Sequence, residues 1–155
     1  MHVQIATEAA IMARGVHWRC VTAPEAAEWA ATWIAKLDQP PVPLVDISFA
    51  ARWPEGDLLP LFEPLTRTFT DLDLIPETLG LLASTLRRHP ERIDSVCAAL
   101  SDLEFSRRLP SDMHLALGAL FRLQDARACA YDTVENVTAD VIAALQPYFA
   151  RFATA

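Results

Sequence analysis

The sequence predicts an all-α fold, an irregular antiparallel bundle of six to eight helices. Three observations carry this. Apolar residues recur at i, i+3, i+4 and i+7 in several separate stretches. Prolines, acids and hydroxyl residues stand where helices begin. Strand signals are missing: β-branched runs are short, no Asn-Gly or Asp-Gly pair occurs, and there are only 4 glycines. At 155 residues the length predicts one helical domain over 1–155.

Residues 1–21 are ambiguous. Thr7–Arg14 fits a short helix ended by Gly15, and Val16–Val21 could be extended. Thr22 or Ala23 opens a clearer helix with Pro24 in its first turn and Glu25 and Glu28 near its positive end. Ala26, Trp29, Trp33, Ile34 and Leu37 form its apolar stripe, and Pro40, Pro41 and Pro43 stop it. Leu44–Ala51 predicts another short helix, followed by a turn at Trp53-Pro54-Glu55-Gly56. Asp57 could cap the next, which Pro64 should cut short or kink.

Thr70–Ile75 reads as a connection. Pro76-Glu77 then starts a helix with Leu79, Leu82, Ala83 and Leu86 on one face. His89-Pro90 ends it, and Ile93, Val96, Cys97 and Leu100 mark the next. Pro110-Ser111-Asp112 is a further start signal with Ser111 as cap. Met113–Phe121 carries no Asp, Glu, Lys or Arg and is apolar in every direction, which predicts a buried central helix near 112–130 with His114 in it. Gly118 within that helix would cost about 1 kcal/mol relative to alanine unless a close helix crossing offsets it. Thr133 caps the last helix, lined by Val134, Val137, Val141, Leu145, Tyr148 and Phe152, and Pro147 should end it.

Charge narrows the function. Twenty acids against 13 bases give −7, a poor match to nucleic acid or an anionic membrane surface, which clustered Lys and Arg would favour. The longest stretch without Asp, Glu, Lys or Arg is Val141–Ala150, far short of the roughly 20 residues that span a bilayer. Met1–Ala10 lacks the basic start and apolar run of a signal peptide, so a cytoplasmic location is expected. Cys20, Cys97 and Cys129 are odd in number and lack Cys-x-x-Cys spacing, which predicts reduced thiols.

The motifs of phosphate loops and of Gly-x-Ser-x-Gly hydrolases do not occur. His2, His17, His89 and His114 have no metal-ligand spacing. Ser111, Asp112 and His114 are neighbours on one turn and point apart, whereas a triad is assembled from separate segments. No catalytic residue, metal or cofactor is expected. Arg87-Arg88 and Arg107-Arg108 fall at helix carboxyl ends, where cations are favoured. Trp18, Trp29, Trp33 and Trp53 all lie in the first third, as core anchors or as interface anchors. The segment Asp38–Glu77 holds eight acids against two bases, with Pro40, Pro41, Pro43, Pro54, Pro60, Pro64 and Pro76. Rigid backbone loses little entropy on binding, and acidic side chains steer a basic partner.

Between Glu28 and Ala50 the chain carries a tryptophan-rich helix, LDQPP and LVDISFA, with leucine-rich helices after them. In this general plan it resembles small acidic all-helical bacterial proteins of the polymorphic-toxin immunity type. The resemblance has no specific motif and assigns no individual residue a role. It implies binding and blocking of a cognate toxin without catalysis. The expectation is a non-catalytic protein-binding module whose partner is a protein such as a basic toxin, met through Asp57, Glu63, Asp71 and Asp73. Two other readings stay open. One is a secretion or assembly chaperone or adaptor. The other is a helical small-molecule-binding protein or enzyme with a dispersed pocket.

Overall fold

A computed structural model describes residues 2–67, 74–129 and 132–152. The fold is all-α. Its helices are α1 (His2–His17), α2 (Ala23–Ile34), α3 (Val42–Phe49), α4 (Glu55–Thr66), α5 (Ile75–Arg88), α6 (Ile93–Phe105), α7 (Ala119–Cys129) and α8 (Val134–Leu145). Single 3-10 segments occupy Pro90–Arg92 and Gln146–Arg151. Where length leads to an expectation of one domain, the packing divides the chain into two compact units, α1–α4 and α5–α8.

In the first unit α1 packs along α4, α2 on α3, and α3 on α4. Ile5, Ala9, Met12 and Val16 recur at helical spacing and are all buried, so α1 is longer than Thr7–Arg14. It also runs through Gly15 instead of ending there. The Gly15 carbonyl accepts from the N–H groups of Cys20 at 2.8 Å and Val21 at 3.0 Å, while Arg19 takes the left-handed position at φ 58°. This is the usual glycine-type helix stop with arginine in glycine's place. The same device ends α6, where Arg107 has φ 55° and Arg108 N–H bonds the Leu103 carbonyl at 2.9 Å. Each arginine costs about 1 kcal/mol of backbone strain relative to glycine.

Helix α2 begins as its sequence indicates: the Thr22 N–H and hydroxyl both donate to the Glu25 carboxylate, at 2.8 and 2.7 Å. Ala26, Trp29 and Trp33 of its stripe are buried. In α4 the expectation that Pro64 breaks the helix is corrected, because the helix runs through both Pro60 and Pro64. They lie four residues apart on the exposed side. The carbonyls left without an amide, on Gly56 and Pro60, therefore belong to exposed residues that water can reach. The opposite side buries Leu58 and Phe62, each worth about 1.5–3 kcal/mol relative to exposure.

In the second unit the apolar sets on α5 and α6 are buried as the spacing predicts, as are Val137, Val141 and Leu145 of α8. Thr133 Oγ1 accepts from Asn136 N–H at 3.1 Å, and α8 gives way to the 3-10 segment that contains Pro147. That segment lies against α5 at Gly80. Arg127 of α7 grips Asp94 of α6 through both oxygens, at 2.5 and 2.8 Å.

The expected buried central helix near 112–130 is corrected. Residues 110–118 form turns, so Ser111 caps no helix, and α7 starts only at Ala119. Gly118 adopts φ +64° and donates its N–H to Glu104 Oε2 at 2.9 Å, which stops the helix from reaching back. Met113, Ala116, Ala119 and Leu123 are buried, whereas His114, Leu115, Leu117 and Phe121 are exposed. Apolar composition had suggested burial on all sides, yet one side of this stretch faces solvent. No close crossing occurs at Gly118, which has open space around it. The close crossing is at Gly80.

Candidate protein-binding surface

Two of the four acids expected to contact a partner are described. Asp57 lies in the first turn of α4 and Glu63 six residues on, both exposed. Six residues at 3.6 per turn set them about 120° apart around the axis. They flank the exposed Pro60–Pro64 ridge instead of pairing. Glu63 faces Arg67 at 3.9 Å, both largely solvated, so this i, i+4 contact contributes little. Asp71 and Asp73, with most of the Thr70–Ile75 connection, lie outside the described residues.

The structure adds residues that the sequence reading did not single out. Helix α3 buries Leu44 and Ile47 and turns Val42, Asp46 and Phe49 the other way. At 100° per residue these three fall within about 60° of one another. Val42 is 71% exposed and Phe49 80%, and Trp53, just past the helix, is 47% exposed. An exposed acid thus stands between two apolar side chains, with exposed Asp38, Glu55 and Asp57 before and after them in sequence. The legible signal was apolar residues on both sides of an eight-residue helix, where only one side can meet the core.

The other tryptophans divide by role. Trp29 and Trp33 are buried, and Trp29 stacks on Phe62 with ring centroids 5.9 Å apart. Both indole N–H groups donate to Glu8 Oε2 of α1, at 3.0 and 2.7 Å. They belong to the core of the first unit and not to its surface. Trp18 is half-buried against His17.

In the second unit Arg122 joins Asp132 at 2.9 Å and Asp140 at 2.7 Å, tying α7 to the residues just before α8 and to the middle of that helix. The Arg122 hydrogen bond, with the Thr133 N–H behind it, holds the Asp132 carboxyl below its ordinary range. Arg87 and Arg88 end α5, and Arg87 lies over the Phe149 ring at 4.6 Å.

Cys20 and Cys97 are buried free thiols; the Cys129 side chain lies outside the description. Burial, and after it the Asp94 carboxylate, pushes the Cys97 thiol up to about 11. An unfolded thiol ionises near pH ~8.5. Between these values the unfolded chain has released a proton that the folded chain keeps, so stability falls as pH rises from about 8.5 towards 11 and is insensitive to this group below that window. In a Cys129→Ser variant at pH 8, a disulfide reagent such as DTNB is expected to titrate no thiol in the native protein and both thiols in denaturant. Rapid native labelling would show that these sites open.

Among the described residues no group of three or more His, Cys, Asp or Glu could hold a metal ion, and no helix is long and apolar enough to cross a membrane. What the geometry offers is the α3–α4 surface, with apolar side chains set among acids on proline-stiffened backbone. Comparison with known proteins finds no family model, no curated protein and no solved structure that matches the chain.

Proposed function

We propose that this chain is a non-catalytic protein-binding module of the toxin-neutralising immunity kind, which captures a basic protein through the surface of α3 and α4. The observation that carries the reading is the outward face of α3, where Val42, Phe49 and, beyond the helix, Trp53 stand in solvent around Asp46. Exposed aromatic groups provide the buried contacts on which binding energy concentrates. Asp46, Asp57 and Glu63, with Asp71 and Asp73, supply the field that steers a cationic partner and sets register. The prolines before α3 and along α4 keep this surface from losing much entropy when it docks. The resemblance to immunity-type proteins supports the choice of a toxin as that partner.

The test is quantitative affinity capture from cells that make the protein. The bait is the wild-type chain, a variant with Asp57, Glu63, Asp71 and Asp73 each changed to lysine, or Phe49→Ser. A basic protein is expected on the wild type. The charge-reversed chain should lose it, and Phe49→Ser should bind it about 30-fold more weakly, the worth of an aromatic hot spot near 2 kcal/mol. All three chains should melt alike. Equal capture by all three would overturn the reading.

A further inference from the structure

We infer that the element gripped by the outward face of α3 is an α-helix of the partner, amphipathic and with a lysine or arginine in the middle of its apolar seam. This deepens the proposed function and rests on that face being where a partner docks. Val42, Asp46 and Phe49 are spaced four and then three residues apart. At about 100° per residue they fall at roughly 0°, 40° and −20° around the helix axis, while the buried Leu44 and Ile47 fall at roughly 200° and 140°. One side of α3 is thus spent on the core of the first unit. The other shows solvent a narrow stripe with the alternating four-and-three spacing of a coiled-coil seam.

The spacing selects the shape of the occupant. Val42 and Phe49 are separated by about 10.5 Å along the axis, at about 1.5 Å per residue. A second helix repeats its seam at that same interval, every seven residues, and a ridge of this kind packs into the groove of such a helix. An extended strand does not match. Its same-face side chains recur at about 6.8 and 13.6 Å, and the residue near 10 Å points to the opposite face. Charge selects what stands at the centre of the seam. The Asp46 carboxylate is exposed and has no hydrogen-bond or ion-pair partner among the described residues. From Asp38 to Glu63 five acids stand against one base, Arg52, and all five acids are exposed. An apolar side chain laid over Asp46 would cover a carboxylate without pairing it, which is costly. A lysine or arginine lays its methylene stem along the apolar neighbours and brings its charge to the carboxylate, and a charged pair at one seam position also fixes the register of the two helices.

The test is titration of the isotope-labelled full chain with three synthetic peptides, each three heptads long, followed by amide NMR shifts to about 1 mM peptide. The first has a leucine seam with lysine at its central position. The second exchanges that lysine with a glutamate from the opposite side of the helix, so composition and net charge are unchanged. The third is the first with proline placed mid-helix to break it. The first should bind with shifts centred on α3, about tenfold more tightly than the second, and the third should not bind. Asp46→Lys, an exposed change, should reverse the preference between the first two. Three results would each overturn the inference: no binding by the first peptide, equal binding of the first and second, or equal binding of the third. The two proposals fail separately. A chain that captures a basic protein from cells yet gives any of these three results loses only the helix as occupant. A chain that binds the peptides in the expected order and captures no basic protein defeats only the proposed function.

Discussion

Gly80→Ala is expected to destabilise the protein by about 2 kcal/mol, within the range for overpacked cores, and to lower Tm by roughly 4–8 °C. On helix propensity alone the sign would be opposite, since alanine gains about 1 kcal/mol over glycine in a helix interior. The neighbours reverse it. A Cβ at position 80 would lie 2.8 Å from the Phe152 nitrogen and 2.8 Å from the Tyr148 carbonyl oxygen, with Phe152 Cβ at 3.1 Å. Two of these are backbone atoms, which cannot swing aside as a side-chain tip can. The 3-10 segment would have to lift from α5, loosening the buried Phe152 at its end. Gly56→Ala supplies the contrast. Gly56 is exposed in the first turn of α4, with nothing within 4 Å of an added Cβ, so propensity acts alone and a gain of about 0.5–1 kcal/mol is expected. Urea denaturation of the three chains checks both signs. A Gly80→Ala variant as stable as wild type would mean that the close approach does not hold the segment in place.

The two glycines show where sequence reading reaches its limit. Nothing in the one-dimensional pattern separates Gly80, inside a clean apolar stripe, from a residue whose side chain is merely dispensable. Gly118 stands within an uncharged apolar stretch, which suggests a buried helix and not the turn it forms. What decides each case is a neighbour far away in the chain or a backbone angle. The same division runs through the fold. Helices α5 and α8 are legible because a single periodic face, a start signal and a proline stop all agree, and α6 because its periodic face follows directly on the Pro90 start signal. Helix α1 extends beyond its sequence signal because Gly15 does not end it; its carbonyl accepts the closing hydrogen bonds from Cys20 and Val21, five and six residues later. Helix α4 continues past Pro60 and Pro64 because both lie on its exposed side, which sequence position alone does not reveal. Residues 112–118 depart from the sequence expectation because apolar composition does not reveal which side of a short segment has a core to face. The acidic character of the candidate surface was readable from composition. Its apolar members, Val42 and Phe49, are signalled only by apolar residues on both sides of a short helix, a pattern that does not say which side meets the core.

The largest loss is expected from Glu8→Ala, about 2–4 kcal/mol. An indole N–H is a donor with no other polar option, and both Trp29 and Trp33 direct theirs to a single Glu8 oxygen. Hydrogen bonds to a charged acceptor contribute about 1.5–3 kcal/mol, and a buried donor left without one costs about 1–3. The two bonds share an acceptor, so their contributions do not simply add. Gln4 Nε2 holds the other carboxylate oxygen at 3.2 Å on the same face of α1, which fixes the rotamer that the indoles require. Glu8→Gln keeps a carbonyl acceptor without the charge and is expected to lose less, about 1 kcal/mol. The diagnostic measurement is a cycle. In a Trp29→Phe/Trp33→Phe background no indole remains to be orphaned, so Glu8→Ala should cost at least 1 kcal/mol less there than in the wild type. An equal cost in both backgrounds would show that Glu8 stabilises α1 by other means. Because these tryptophans are engaged inward, partner capture per folded molecule should survive Glu8→Ala at temperatures where the variant is still folded. It should weaken about 30-fold in Phe49→Ser, which leaves the core intact and alters only the outward face of α3.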